Sequence, residues 1–177
     1  MLANRVQVIP AIMLDTPHGK QQLQIQCHQA TGYWLYEEAF NEAPTGDHYT
    51  NSSLFEATEM MTNLARYGKK LSPPAMGSLN IASGTVLIFT DQQNTAKHSC
   101  VINGAGNIGG YNQQSWFSST GIANSFTTHA TGDIRWRNRL RKHKVKLNSQ
   151  NSKGNLVAVE SARAVSFFKH NFVYRFE

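Results

Sequence analysis

Only two of the 177 residues are cysteines, and one of them, Cys27, stands in QQLQIQCHQATGYWLYEEAF, between a glutamine-rich run and an apolar block. A thiol acts as a nucleophile when three conditions meet. Its pKa must fall, commonly at a helix N-terminus or beside a histidine. A base must lie within hydrogen-bond reach, and donors must be ready for the oxyanion. The sequence offers a candidate for each. The apolar block after Cys27 predicts a helix starting there, whose unpaired N–H groups and dipole favour a thiolate. His98, opening HSCVI, is the candidate base. Asn112, in GGYNQ, lies fourteen residues later and is placed to hold an imidazole in one tautomer. Gln113 and Asn107 compete with Asn112 for that place. Gln21, six residues before Cys27, is the candidate oxyanion donor. The chemistry of such a set is attack on an amide carbonyl through a thioester.

These residues need elements to hold them. Residues 27 to 40 predict a helix buried nearly all round, because YWLY is apolar on several faces. NEAPTGDHYTN, 41 to 51, predicts a loop. A second helix is expected over 53 to 67, with Ser53 and Glu56 as a capping box and Leu54, Ala57, Met61 and Leu64 on one face. Gly68 is its expected stop. RVQVIPAIML, 5 to 14, predicts a strand broken at Pro10, followed by the turn DTPHGK. After a loop over 69 to 83 the period changes to that of strands: 85 to 89, 98 to 102 and 107 to 113, joined as an antiparallel meander. Further strands are expected at 133 to 137, at 143 to 147, in LVAVES and in AVSFFKHNFVYRF. Helices first and strands after predict an α+β domain with helices packed on an antiparallel sheet. The length suits one domain, residues 1 to 177, with the core motifs within about 20 to 115 and strands from 130 to the end.

In order and spacing these motifs resemble the papain-like cysteine hydrolase superfamily, particularly its bacterial CHAP-type and related cell-wall amidases and its effector deamidases and proteases. A Gln six residues before a cysteine-headed helix is similar to papain-type sequences. SGTVLIF resembles the strand that precedes the catalytic histidine in the amidases, HSCVI the histidine strand, and GGYNQ the strand that carries the third residue. The match spans roughly residues 20 to 115. It departs at His28-Gln29, where better-known members carry Gly and Ser, and at Thr85, where the amidases usually carry Asp. The resemblance implies a papain-like fold, a Cys27–His98–Asn112 triad, and Gln21 with the Cys27 N–H as the oxyanion hole.

The remaining chemistry-bearing residues read more plainly. Cys100 shares a strand face with His98 and is expected in the core. His28 points about 100° away from Cys27 on a helix and is a poor base for it. His129, in SFTTHATGD, is the main competitor of His98. Gln113, Trp116 and His129 are candidates for a substrate cleft. With no CxxC, no HExxH and no close His pair, no metal is expected. No cofactor is expected either, because GAGNIGG lies between short strands and lacks the strand–turn–helix context of a dinucleotide loop.

The net charge of +6 is concentrated. Arg135, Arg137, Arg139, Arg141, Lys142, Lys144 and Lys146 fall within twelve residues, and the rest of the chain carries ten bases against eleven acids. This segment predicts a basic docking patch for an acidic protein. Nucleic acid fits less well, because few aromatics interleave for base stacking. The N-terminus lacks the order of a signal peptide, and no apolar run is long enough to span a membrane. The expectation is a toxin or effector that deamidates or cleaves a protein, delivered into a target cell without a cleavable signal and acting in its cytosol. A cognate immunity protein is expected as partner. The alternatives are a peptidoglycan amidase of the same fold, a nucleic-acid-binding or nuclease toxin built on 135 to 146, and a non-catalytic interaction module.

Overall fold

The computed structural model describes residues 1–71, 81–112, 115–119, 126–128, 134–136 and 155–175. Its centre is a six-stranded antiparallel sheet in the order β3-β10-β4-β5-β6-β7. The strands are β3 (Lys69–Leu71), β4 (Val86–Thr90), β5 (Ala96–Ile102), β6 (Ile108–Asn112), β7 (Ser115–Ser119) and β10 (Asn155–Val159). β10, the last strand of the chain, lies between the first two strands of this sheet. A hairpin of β1 (Met13–Thr16) and β2 (Gly19–Gln22) forms a separate ribbon, as do β8 (Phe126–Thr128) and β9 (Ile134–Trp136).

The described helices are α1 (Cys27–Phe40), α2 (His48–Asn51), α3 (Ala57–Ala65) and α4 (Ser161–Asn171). Helices α1 and α3 pack on β5, and α4 packs beside α1. Val86, Ile88, Val101, Tyr111, Val157 and Val159 belong to the main core with Trp34, Leu35, Met61, Leu64 and Phe168 from the helices and Leu54 from the turn between α2 and α3. Leu87, Phe89, Cys100, Ile102, Ile108 and Leu156, which alternate with them along the strands, form a second apolar cluster on the opposite face. The α+β architecture with helices on an antiparallel sheet is therefore present.

Helix α1 is buried from Ala30 through Tyr36, as YWLY predicts. It starts where Gln26 N–H donates to the Gln29 side-chain oxygen at 2.9 Å. It ends at Asn41, whose left-handed backbone (φ 55°) lets its N–H reach the Glu37 carbonyl.

Several local expectations are corrected. Residues 164–171 of the expected last strand belong to α4, because Ala164 and Phe168, four apart, meet the core on one face. Residues 2–5 form a 3₁₀ turn, and pairing begins only at Met13. The expected loop over 41 to 51 contains α2, and that over 69 to 83 contains β3. Ser53 does not cap a helix: its hydroxyl lies 3.2 Å from the Val173 carbonyl and accepts the Val173 N–H at 2.9 Å. The second helix starts four residues later, at Ala57. The expected strand at 143 to 147 lies outside the described residues.

Candidate active site at the head of helix α1

Cys27 is the first residue of α1 and is partly exposed. Its sulfur is approached by the backbone N–H groups of Ser99, His28 and Cys27 itself, each favouring the thiolate. Burial outweighs them and pushes the thiol up. The lowered pKa expected at a helix start is thus not met in this arrangement, because the site that gathers the amides also removes water.

Beside Cys27 stands a buried polar chain that joins α1 to β5. His28 Nδ1 lies 2.8 Å from Ser99 Oγ, and Ser99 Oγ lies 2.9 Å from Thr31 Oγ1. Thr31 Oγ1 also lies 3.1 Å from the Cys27 carbonyl. The other ring nitrogen of His28 is left for the Ala96 backbone carbonyl, which accepts from the ring. Ser99 donates to His28 and His28 to Ala96, while the single Thr31 proton is shared between the Ser99 hydroxyl and the Cys27 carbonyl, which can only accept. Burial lowers the His28 pKa to about 4, against the smaller opposing effect of Ala96. At neutral pH the ring is therefore uncharged and engaged at both nitrogens, so it does not take the thiol proton.

Strand β5 presents Ser99 to α1, and alternation then turns His98 to the opposite face. His98 sits across from Phe89 in the register, with ring centroids 6.0 Å apart, on the face that carries Cys100 and Ile102. The structure therefore does not bring the His98 side chain to Cys27. A β-bulge lies just before it: Phe89 pairs with His98 but Thr90 with Ala96, so Lys97 is an extra residue. Cys100 is fully buried, as expected of a core residue.

Gln21 lies on the exposed strand β2, opposite Leu14. The donors that approach the Cys27 sulfur are backbone groups. Asn112 ends β6, opposite Ser115 of β7. Trp116 packs in the core, edge-on to Trp34 at 6.0 Å and to Tyr111 at 5.9 Å. Gln113, His129, Arg137, Arg139, Arg141, Lys142, Lys144 and Lys146 lie outside the described residues. Arg135 falls in β9, opposite Thr127.

A groove of about 350 Å³ lies along the chain that leads into α1, lined by Ile9, Ala11, Gln22, Leu23, Gln24, Ile25 and Tyr111. Among the described residues no cluster of His, Cys, Asp or Glu is arranged to hold a metal. None of the described helices is long and apolar enough to cross a membrane.

Sequence reasoning missed Ser99 and Thr31. Thr31 is legible in hindsight as the residue one turn after Cys27. Ser99 is legible only once the facing of β5 is known. No protein-family model, no curated protein and no solved structure matches the chain.

Proposed function

We propose that the protein is a cysteine-dependent amide hydrolase, a papain-like deamidase or protease of the toxin or effector kind, with Cys27 as nucleophile. One observation carries the reading: a partly exposed cysteine heads a buried helix, abuts the central strand, and has three backbone N–H groups at its sulfur. Such a nest can hold negative charge on sulfur and then on an acyl oxygen. The groove formed by 22 to 25 and Tyr111 lies beside the approach to α1 and combines apolar side chains with those of Gln22 and Gln24. For His98 to take the thiol proton, its ring must come to the α1 face of β5. The basic segment 135 to 146 would dock an acidic protein substrate or an acidic immunity protein, steered by charge.

A second reading, an interaction module without a reaction, is favoured by the facing of His98 and the raised thiol. Alkylation separates the two. Iodoacetamide labelling of Cys27 is followed against pH in wild type and in His98→Ala, with Cys100 as the internal buried control. The hydrolase reading expects Cys27 to label in the folded protein at neutral pH and the apparent pKa to shift when His98 is removed. A Cys27 that stays inert while the protein is folded, with no change in His98→Ala, refutes it and leaves the interaction module.

A further inference from the structure

The C-terminal segment, residues 172 to 175, is strapped across α2 at a single histidine. His48 Nδ1 accepts the Thr45 N–H at 2.9 Å. This leaves the proton on Nε2, which lies 2.9 Å from the Tyr36 hydroxyl and 2.6 Å from that of Tyr174. Tyr36 in turn donates to Glu42 at 3.2 Å. Around the imidazole stand the rings of Tyr36, Phe172 and Tyr174. The strap is completed by backbone: Ser53 N–H donates to the Val173 carbonyl and Arg175 N–H to the Asn51 carbonyl. Arg175 also pairs with Glu56 at 2.8 Å.

We propose that this segment is an acid-released latch, in which protonation of His48 frees residues 172 to 175 from α2. A neutral His48 satisfies both sides: it accepts at Nδ1 and donates at Nε2. An imidazolium has two donors and no acceptor, so the Thr45 N–H loses its partner and a charge appears inside an aromatic cluster. Burial accordingly lowers the His48 pKa, outweighing Asp47, Glu42 and the Thr45 backbone, which favour the charged ring.

The sign follows directly. The closed state binds the proton more weakly than an open, solvated histidine at about 6.5. The latch is therefore fully favoured above about that pH and weakens as pH falls toward the closed-state value. The charged and titratable groups around it are Tyr36 from α1, Glu42 and Asp47 from the connecting segment, and Tyr174 and Arg175 from the strap. His170 of α4 is exposed and bonds within its own helix, to the Ser166 carbonyl. Release also withdraws Arg175 from the lining of a groove of about 320 Å³ between α3 and α4.

The test is amide hydrogen exchange on the full chain from pH 7.5 to 5.0, corrected for the intrinsic rate. The amides read are Ser53, Val173 and Arg175, with Ala164, bonded to the Glu160 carbonyl at the start of α4 and outside the strap, as reference. Wild type is expected to lose protection at the three strap amides on acidification, ahead of the reference, and His48→Gln to lose the pH dependence. Glu56→Gln is expected to keep it, which separates the latch from the Arg175 ion pair. Should His48→Gln not fold, Tyr174→Phe serves: the NMR-measured His48 pKa is expected below about 6.5 in wild type and to rise toward that value in the variant. Protection that does not change with pH in wild type, or a pH response that survives in His48→Gln, or a His48 pKa at or above the free value, overturns the proposal.

Discussion

Acid should weaken the fold through His28, and the size of the effect follows from its burial. The ring is 7 % exposed and joins α1 to β5 through Ser99. Its pKa falls from 6.5 to about 4, a gap of about 2.5 pH units. At about 1.4 kcal/mol per unit, the folded state gives up ~3 kcal/mol of stability across that interval. The folded pKa is the lower one, so the contribution is complete above about 6.5 and lost as pH falls toward about 4. The assay is urea unfolding of wild type and His28→Gln at pH 7.0, 6.0, 5.0 and 4.5. Carboxylates and His48 contribute to both proteins, so the difference between the two curves isolates His28. At pH 7 the variant is expected to be less stable, because Ser99 loses its partner at the same geometry. As pH falls the gap should close by about 2 to 3 kcal/mol, the larger part of the full interval. Parallel curves would refute the reasoning and show that a protonated His28 is accommodated in the fold, for instance by water reaching the Ser99 hydroxyl.

Two further outcomes follow from packing at the same junction. Gly32 lies where an added Cβ would come 2.7 Å from Leu54 Cδ2, and Leu54 is fully buried. Gly32→Ala is expected to cost about 1–3 kcal/mol by overpacking, read as a lowered urea midpoint at unchanged slope; an unchanged midpoint would mean Leu54 has room to turn. Ser99→Ala leaves His28 Nδ1 without its donor in a dry site and should cost about 1–3 kcal/mol, whereas a change under about 0.5 kcal/mol would show that the chain from Thr31 to Ala96 contributes little.

Much of the scaffold was readable because the signals were local. Helix α1 announces itself by an apolar block with a start at Cys27, and β4 to β6 by short apolar runs between turn residues. Helix α4 was misread because Val165, Phe167 and Phe168 look strand-like, although Ala164 and Phe168 already keep helical spacing. Its form is decided by the face it shares with α1, which sequence does not display. The candidate site was legible at Cys27 and not beyond. Strand β5 is buried on both faces, so no polar alternation tells which residues point at α1. The bulge at Lys97 then sets the facing, and a shift of one residue exchanges His98 for Ser99. The Ser53 cap failed for a related reason: its hydroxyl is claimed by a residue 120 positions away.

The placing of the two thiols on opposite sides of β5 gives the protein a pair of internal clocks. Cys27 sits in the first turn of α1, so fraying of that single turn exposes it. Cys100 lies under the far face of the sheet with no exposure at all, and only separation of the strands uncovers it. In a pulse of thiol reagent, modification at Cys27 therefore times local opening, and modification at Cys100 times unfolding of the whole sheet. The ratio of the two rates measures how much more readily the helix start opens than the molecule unfolds, with no residue changed.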